Sequence, residues 1–420
     1  MYTEIHKCRI CGNADLISIL DLGHQVLTGV FPRSKEEVIS SGPLELVKCD
    51  EQRNNQACGL VQLKHSYDPR ELYGQNYGYR SGLNQSMVKH LHDRAKAILR
   101  LVPLALGDLI LDIGSNDSTL LQAYPSEGLL LVGIDPTGAK YRKYYPSHVQ
   151  MVPEFFSPEA IRKRFGGQKA KVVTSIAMFY DLESPIDFMR QVQEVLADYG
   201  VWVFEQSYMP KMLAANAYDT ICHEHTEYYA LKQIKWMTDR AGFKVIDVEF
   251  NAVNGGSFAV TVAKQEAPYP ENTARIERIL EEEEQAELHT VRPYEEFRGR
   301  VFAHRETLLR VLRQIKAMGQ MVLGYGASTK GNVMLQFCHL TEADIPFIAE
   351  VNEDKFDSYT PGTLIPIIPE ADARAAKPDY FLVLPWHFRE GIVMRESAYL
   401  EKGGKLLIPL PEIEIVEIAV

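Results

Sequence analysis

The chain has 420 residues, 46% of them hydrophobic, enough for two or three domains with ample core. Its 56 acidic residues against 45 basic ones leave a net charge of −11, which excludes the broad positive field that nucleic acid or an anionic membrane surface requires; an anionic substrate must be held by local cations or backbone N–H groups. No apolar run approaches the roughly 20 residues of a membrane span, the first residues are polar, and the cysteines lack an extracellular pattern, so reduced thiols and a cytoplasmic protein are expected.

Residues 1–60 are rich in turn formers and carry four of the six cysteines. Cys8 and Cys11 form a C-x-x-C pair, while Cys49 and Cys58 flank a longer polar stretch. Four thiolates on two loops can close a tetrahedral zinc site and staple a segment too small to bury a core alone; buried or redox cysteines are the alternative. From about Ser81, a helical spacing of Met87, Leu91, Ala95, Ile98 and Leu99 leads into an apolar strand at 109–113. Further strands are expected at 129–134, 172–177, 201–205, 244–248 and 257–262. Their alternation with helical stretches predicts a mostly parallel sheet covered on both faces. Residues 271–318 read as charged helix, with Glu281 to Glu284 a solvated face without function. A second α/β unit starts at 321–326 and continues through strands at 345–349, 380–384 and 405–408.

Two glycine loops differ in chemistry. The first follows the strand at 109–113, and Asp135 closes the next strand, 23 residues after Asp112, where an acidic residue binds ribose hydroxyls. A dinucleotide site would favour G-x-G-x-x-G, but this loop has one glycine and two carboxylates. Carboxylates repel a pyrophosphate and suit the amino group and sulfonium of S-adenosylmethionine, so Asp112, Gly114, Asn116, Asp117 and Asp135 are the expected cofactor contacts. A generic α/β turn is the plainer alternative. The second loop, Gly324 to Asn332, has three glycines, two hydroxyls, a lysine and a helix start, the parts of an anion site. Walker A order is absent, which disfavours phosphoryl transfer. Ser328, Lys330 and Asn332 are expected to hold phosphate, against a turn whose lysine is merely solvated. Trp386, His387 and Arg389 stand just past a later strand, at the edge where ligands of parallel sheets collect.

Residues 223–229 pack two histidines, two glutamates and two tyrosines into seven positions. Such a density of titratable groups costs desolvation energy unless it is used, although a helix start with structural histidines would also explain any one of them. With these segments in place, the chain resembles the sugar-nucleotide C-methyltransferase family, which includes the 3-C-methyltransferases of branched deoxysugar biosynthesis. The matching segments are the cysteine-rich head with Leu60–Leu63, Asp112–Asp117, His223-Glu224-His225 with Tyr228-Tyr229, Asn254–Ser257, Gly324–Ala327 and Pro385–His387.

The resemblance implies an α/β protein in three parts. These are a zinc-binding domain at 1–80, a class I methyltransferase-like Rossmann domain at 81–265 and a C-terminal Rossmann-like domain for the nucleotide sugar at 266–420. It also implies methylation at C3 of an NDP-4-keto-6-deoxyhexose through an enolate, by a monomer using S-adenosylmethionine. His225 would be the base, Glu224 would orient it or the sugar, and His223 is the competing base. The relatives carry tyrosine where this chain has Cys222, so Tyr180, Tyr228 or Tyr77 would supply the phenol; Asn254 and Tyr228 would meet the substrate. Ser118 stands where a glycine commonly follows the Asp, at a cost of order 1 kcal/mol if φ is positive. An NAD-dependent oxidoreductase and a non-catalytic binding protein of carbohydrate pathways are the rival expectations.

Overall fold

A computed structural model describes residues 2–73 and 79–418; Tyr77, one of the expected phenol donors, lies outside the described residues. The strand Leu109–Ile113 is buried at every position and sits inside a seven-stranded sheet. It pairs in parallel with Leu130–Ile134 and Ala170–Ile176, and the parallel set extends to Val149–Val152 on one side and Leu196–Ser207 on the other. Continuous apolar runs suit such strands because both faces are covered. Ser257–Lys264 runs antiparallel to Leu196–Ser207 and to the edge strand Phe243–Asn251. The mostly parallel sheet therefore carries one reversed strand next to its edge, the arrangement of a class I methyltransferase.

The helix Gln85–Leu101 buries Met87, Leu91, Ala95 and Ile98, the face its spacing predicts, and Asn84 caps it by accepting the Ser86 N–H. On the opposite face of the sheet, Trp202 stacks on Phe204 with ring centroids 4.3 Å apart, and its indole N–H donates to Ser175 Oγ at 2.9 Å. That bond removes the cost of burying a polar indole nitrogen.

A second sheet has six strands in the order Ile367–Pro369, Ile348–Glu350, Val322–Tyr325, Tyr380–Val383, Lys405–Ile408 and Glu414–Val416. All pair in parallel except the last two. Before it come the helices Thr273–Gln285 and Arg292–Ala317. Glu281, Glu282 and Glu284 are exposed as expected, but Glu283 is buried. Its carboxylate accepts the Leu231 and Lys232 N–H groups and the Tyr208 hydroxyl. The first N–H groups of the helix Leu231–Arg240 lack partners within their own helix, and Glu283 supplies them from a neighbouring one. The charge run is thus part structural cap, not wholly a solvated face.

The cysteine-rich segment forms an antiparallel sheet of Leu16–Val26, Ser41–Cys49 and Val61–Leu63, and its fourth strand is Glu227–Tyr228. The histidine run is therefore no helix start. It is a turn that ends as an edge strand, with Tyr228 opposite Val61 and Glu227 opposite Gln62. Among the described residues, no helix is long and apolar enough to cross a membrane.

Candidate active site

The four cysteines converge. Cys8 Sγ is 3.5 Å from Cys58 Sγ, Cys11 Sγ is 3.4 Å from Cys49 Sγ, and all four sulfurs lie within 4.8 Å of one another without a disulfide. Four thiolates about 2.3 Å from a central zinc need sulfurs at this kind of separation. The wide spacing of the second pair is accommodated because Cys49 ends a strand and its N–H bonds to Leu60 O, bringing Cys58 back beside it. Between the first two ligands stands Arg9, a residue that sequence reasoning missed. Its guanidinium donates to Leu63 O at 2.6 Å, Ser66 Oγ at 2.8 Å and Glu183 Oε2 at 3.3 Å, and lies 3.8 Å from Glu227 Oε1. The cysteine knuckle is thereby tied to the strand that carries the histidine run.

A cavity of about 320 Å³ opens at the carboxyl ends of the parallel strands. Gly114 turns the chain there with φ +75°, where a Cβ would come within 3.0 Å of Met178 Cγ. Asp112, Gly114, Asn116 and Asp135 all line it, as does Asn254. Burial pushes the Asp112 carboxyl up to about 7, and its Oδ1 accepts from Thr174 at 2.6 Å. Asp135 accepts the Asn116 N–H at 2.8 Å and the Thr137 N–H at 2.6 Å. Asp117 is not among the lining residues: its carboxylate accepts the Gly82 N–H at 2.8 Å and the Thr119 hydroxyl at 2.6 Å and braces the loop. Ser118 has φ +64°, so the serine does occupy the left-handed region. Unsatisfied donors and acceptors remain for a ligand. Gln206, on the wall, has both amide atoms buried without partners among the described residues, and so does Asp181 Oδ1. Burial also raises the Asp181 carboxyl.

The histidine run is tied to the segment that supplies Asp181 and Leu182 to the cavity wall: the Thr226 N–H donates to Tyr180 O at 2.8 Å and its hydroxyl to Leu182 O at 3.2 Å. His225 is the run's partly exposed member, and its ring packs on Tyr180 with centroids 4.2 Å apart. Its Nδ1 lies 2.8 Å from Thr220 O, an acceptor, so Nδ1 carries the proton and Nε2 keeps a bare lone pair. Burial, then the positive charge of Lys330, lowers its pKa to about 3. His223 is wholly buried, packed edge-on against Tyr67 and facing Gly42 O, on the side of the antiparallel sheet. Glu224 does not touch His225. Its Oε2 accepts from Thr28 at 3.4 Å, and Oε1 is buried without a partner among the described residues. Thr220, whose carbonyl has no sequence signature, does the orienting expected of Glu224. Tyr228 directs its hydroxyl to the same Thr220 O at 3.5 Å.

The second loop is arranged otherwise than a phosphate cradle requires. Ser328 caps its own helix by accepting the Gly331 N–H, and Asn332 is fully buried, donating to Thr28 O at 2.8 Å. The Ala327 N–H is taken by Glu350 Oε2 at 2.9 Å. Glu350 ends the strand after the loop, so the rule that finds Asp135 would have found it. Lys330 extends across to Asn254 O, with Nζ at 3.1 Å. Trp386 donates to Asp219 Oδ2 at 2.8 Å, and His387 packs edge-on beside it. Arg389 is not at the site: it starts a helix on the outer surface and holds Glu414 through two bonds, at 2.9 and 2.5 Å.

Comparison with known proteins agrees with this division of chemistry. Three family models match, described as "Putative zinc binding domain" over residues 8–73, "Methyltransferase domain" over 87–248 and "C-methyltransferase C-terminal domain" over 252–411. The C-methyltransferase NovU of Streptomyces niveus is 30% identical over 417 residues, which cover 98% of this chain and 97% of that protein. Among solved structures, the CcbJ methyltransferase from Streptomyces caelestis has 14% identity and a TM-score of 0.33, covering 41% of this chain and 89% of its own. A putative S-adenosylmethionine dependent methyltransferase from Listeria monocytogenes has 14% identity and a TM-score of 0.32, covering 42% and 99%. Likenesses at that level leave the fold to rest on strand order and on the family models. A methyltransferase domain around the cavity and a zinc-binding domain around the cysteine cluster make S-adenosylmethionine and zinc the cofactors of this chain.

Proposed function

The chain belongs to the family of S-adenosylmethionine-dependent C-methyltransferases, and from that premise we propose that it methylates C3 of an NDP-4-keto-6-deoxyhexose, with His225 removing the C3 proton. The observation that carries this reading is His225 itself: a neutral imidazole with one nitrogen fixed by Thr220 O and the other bare, packed on Tyr180, the neighbour of Asp181 in the cavity wall. A carbon acid beside a ketone needs such a base, neutral at pH 7 and unable to rotate away from its task. Asp112, Gly114, Asn116 and Asp135 would hold the cofactor, Asp112 facing its amino group and Asp135 its ribose. When bound, S-adenosylmethionine supplies an electrophilic methyl group on a cationic sulfur. Cys8, Cys11, Cys49 and Cys58 would hold the zinc, whose task is to fix the sheet that ends in Glu227–Tyr228. Cysteine usage without an extracellular pattern supports a cytoplasmic setting for this reaction.

In D2O, with S-adenosylhomocysteine bound, the wild-type chain should exchange the C3 proton of a 4-keto sugar nucleotide. His225→Asn should slow exchange and methyl transfer together by about 10² to 10⁴-fold, while both ligands still bind. His223→Asn should instead lower the melting temperature. Exchange that survives in His225→Asn would place the base elsewhere.

A further inference from the structure

Lys330 belongs by sequence to the second glycine loop, yet its ammonium leaves that loop. Nζ donates to the carbonyl of Asn254 at 3.1 Å, on a residue that lines the methyl-donor cavity. Asn254 holds that carbonyl in place from a left-handed conformation, φ +55°. The turn is clamped on its other side by Trp386, whose ring would stand 3.4 Å from a Cβ on Gly255 and whose N–H is fixed by Asp219. Lys330 is therefore held by a backbone carbonyl of the cavity wall, on a turn that Trp386 clamps. Burial lowers the Lys330 pKa and the carboxylate of Asp219 opposes that, while burial and then the ammonium's own charge lower the pKa values of His225 and His387.

We propose that Lys330 is a catalytic residue: its ammonium donates a hydrogen bond to the C4 oxygen of the substrate as that oxygen becomes an enolate. This rests on the reading above, in which His225 takes the C3 proton. In that step the C3–H bond breaks, the proton goes to Nε2 of His225, and the electron pair passes through the C3–C4 bond onto oxygen. The oxygen stands two bonds from the reacting carbon. Contacts bring the ammonium and the base to one region: Lys330 bonds Asn254 O, Trp386 packs on the adjoining Gly255 and bonds Asp219, and the next residue, Thr220, holds His225. Tyr228 cannot serve as readily, because its hydroxyl points to Thr220 O, and Cys222 is a buried thiol with little donor strength. Asp219, wholly buried with Oδ1 unpartnered among the described residues, offsets the ammonium and limits the cost of holding a cation there. The negative charge formed on oxygen is then matched by a positive charge already in place, the arrangement that accelerates enolate formation most.

The test is Lys330→Gln and Lys330→Met. Glutamine can still donate to Asn254 O without the charge, so it protects against loss of the fold. Both variants should bind S-adenosylhomocysteine and the nucleoside diphosphate with near wild-type affinity, yet exchange the C3 proton in D2O about 10² to 10³-fold more slowly. The acid limb of kcat/KM should also move up in pH, because a positive charge that depresses His225 is gone. Ethylammonium added to Lys330→Ala should recover part of the exchange rate. Wild-type exchange in Lys330→Gln, or a loss confined to nucleotide affinity, would overturn the proposal and return Lys330 to a phosphate. A wild-type chain that exchanges no proton on any 4-keto sugar nucleotide would instead overturn the reading on which the proposal rests.

Discussion

The two glycine loops are built to the same local plan and put to different ends. In each, a buried parallel strand turns through a glycine of positive φ, Gly114 or Gly326, and an acid ending the neighbouring strand accepts an N–H of the loop. Asp135 takes the Asn116 N–H and Glu350 takes the Ala327 N–H. Around the first loop a cavity remains, with a desolvated carboxyl and unpartnered polar groups in its wall. Around the second, the space is used by the protein. Pro385 packs against Gly326, Lys355 donates to Ala327 O at 2.7 Å, and the free oxygen of Glu350 accepts the Val351 and Asn352 N–H groups. A glycine-rich turn with a cation thus specifies a backbone shape, and its chemistry depends on where the donors finally go.

Exchanging the two acids tests that contrast most strongly. Asp135→Ala should lower S-adenosylhomocysteine affinity by about 10² or more, since hydrogen bonds to a charged group contribute about 1.5–3 kcal/mol each. Glu350→Ala should leave cofactor affinity near that of the wild type. Both should lower the melting temperature, because Asp135 holds the buried Asn116 and Thr137 N–H groups and Glu350 those of Ala327 and Asn352, at about 1–3 kcal/mol for each one orphaned. Equal losses of cofactor affinity in the two variants would erase the distinction between the loops.

The glycines give a finer version of the same test, worth about 1–2 kcal/mol of backbone strain at each site. At Gly326 an added methyl would meet the rigid ring of Pro385 at 2.8 Å, so Gly326→Ala should cost stability. At Gly114 it would meet the flexible side chain of Met178 at 3.0 Å, which lines the cavity and can yield into it. Gly114→Ala should therefore weaken cofactor binding several-fold while unfolding only a little sooner, as measured by titration and melting on the same samples.

What could be seen in the sequence was whatever depends on neighbours along the chain. The period of Met87, Leu91, Ala95 and Ile98 fixes a helix face, and the apolar run at 109–113 with Gly114 fixes a strand and its turn. The four cysteines could be grouped because metal chemistry demands convergence wherever they lie. The reversal of Ser257–Lys264 could not, since an apolar run reads alike in either direction. Nor could the partners of Glu283, Arg389 or Lys330, each of which meets a residue at least 25 positions away through packing of separate elements. The histidine run shows both cases. Its composition marks it as costly and worth examining, whereas only the pairing of Tyr228 with Val61 puts His223 against Tyr67 of the head and His225 against Tyr180 of the methyltransferase domain.

The smallest expected effect is a pH dependence that belongs to the first loop alone. Burial holds the Asp112 carboxyl at about 7, well above its ordinary value of 3.8, so the folded chain keeps it neutral over a range in which the unfolded chain would ionise it. The folded state then binds more protons than the unfolded state between about pH 4 and 7. Its contribution to stability is whole below the lower value and lost as pH rises through the upper one. A cationic amino group beside Asp112 reverses the preference by stabilising the carboxylate. Binding should accordingly release a proton, and S-adenosylhomocysteine affinity should climb about tenfold between pH 6 and 8 and then level off. Asp112→Asn should flatten that profile and also remove the loss of stability across pH 4 to 7, because asparagine has nothing to ionise. Nucleoside diphosphate affinity should keep its own pH profile unchanged in the same variant. Wild-type cofactor affinity that is level from pH 6 to 8 would mean that the ligand's charge lies away from Asp112, and that the first loop binds through Asp135 and its backbone alone.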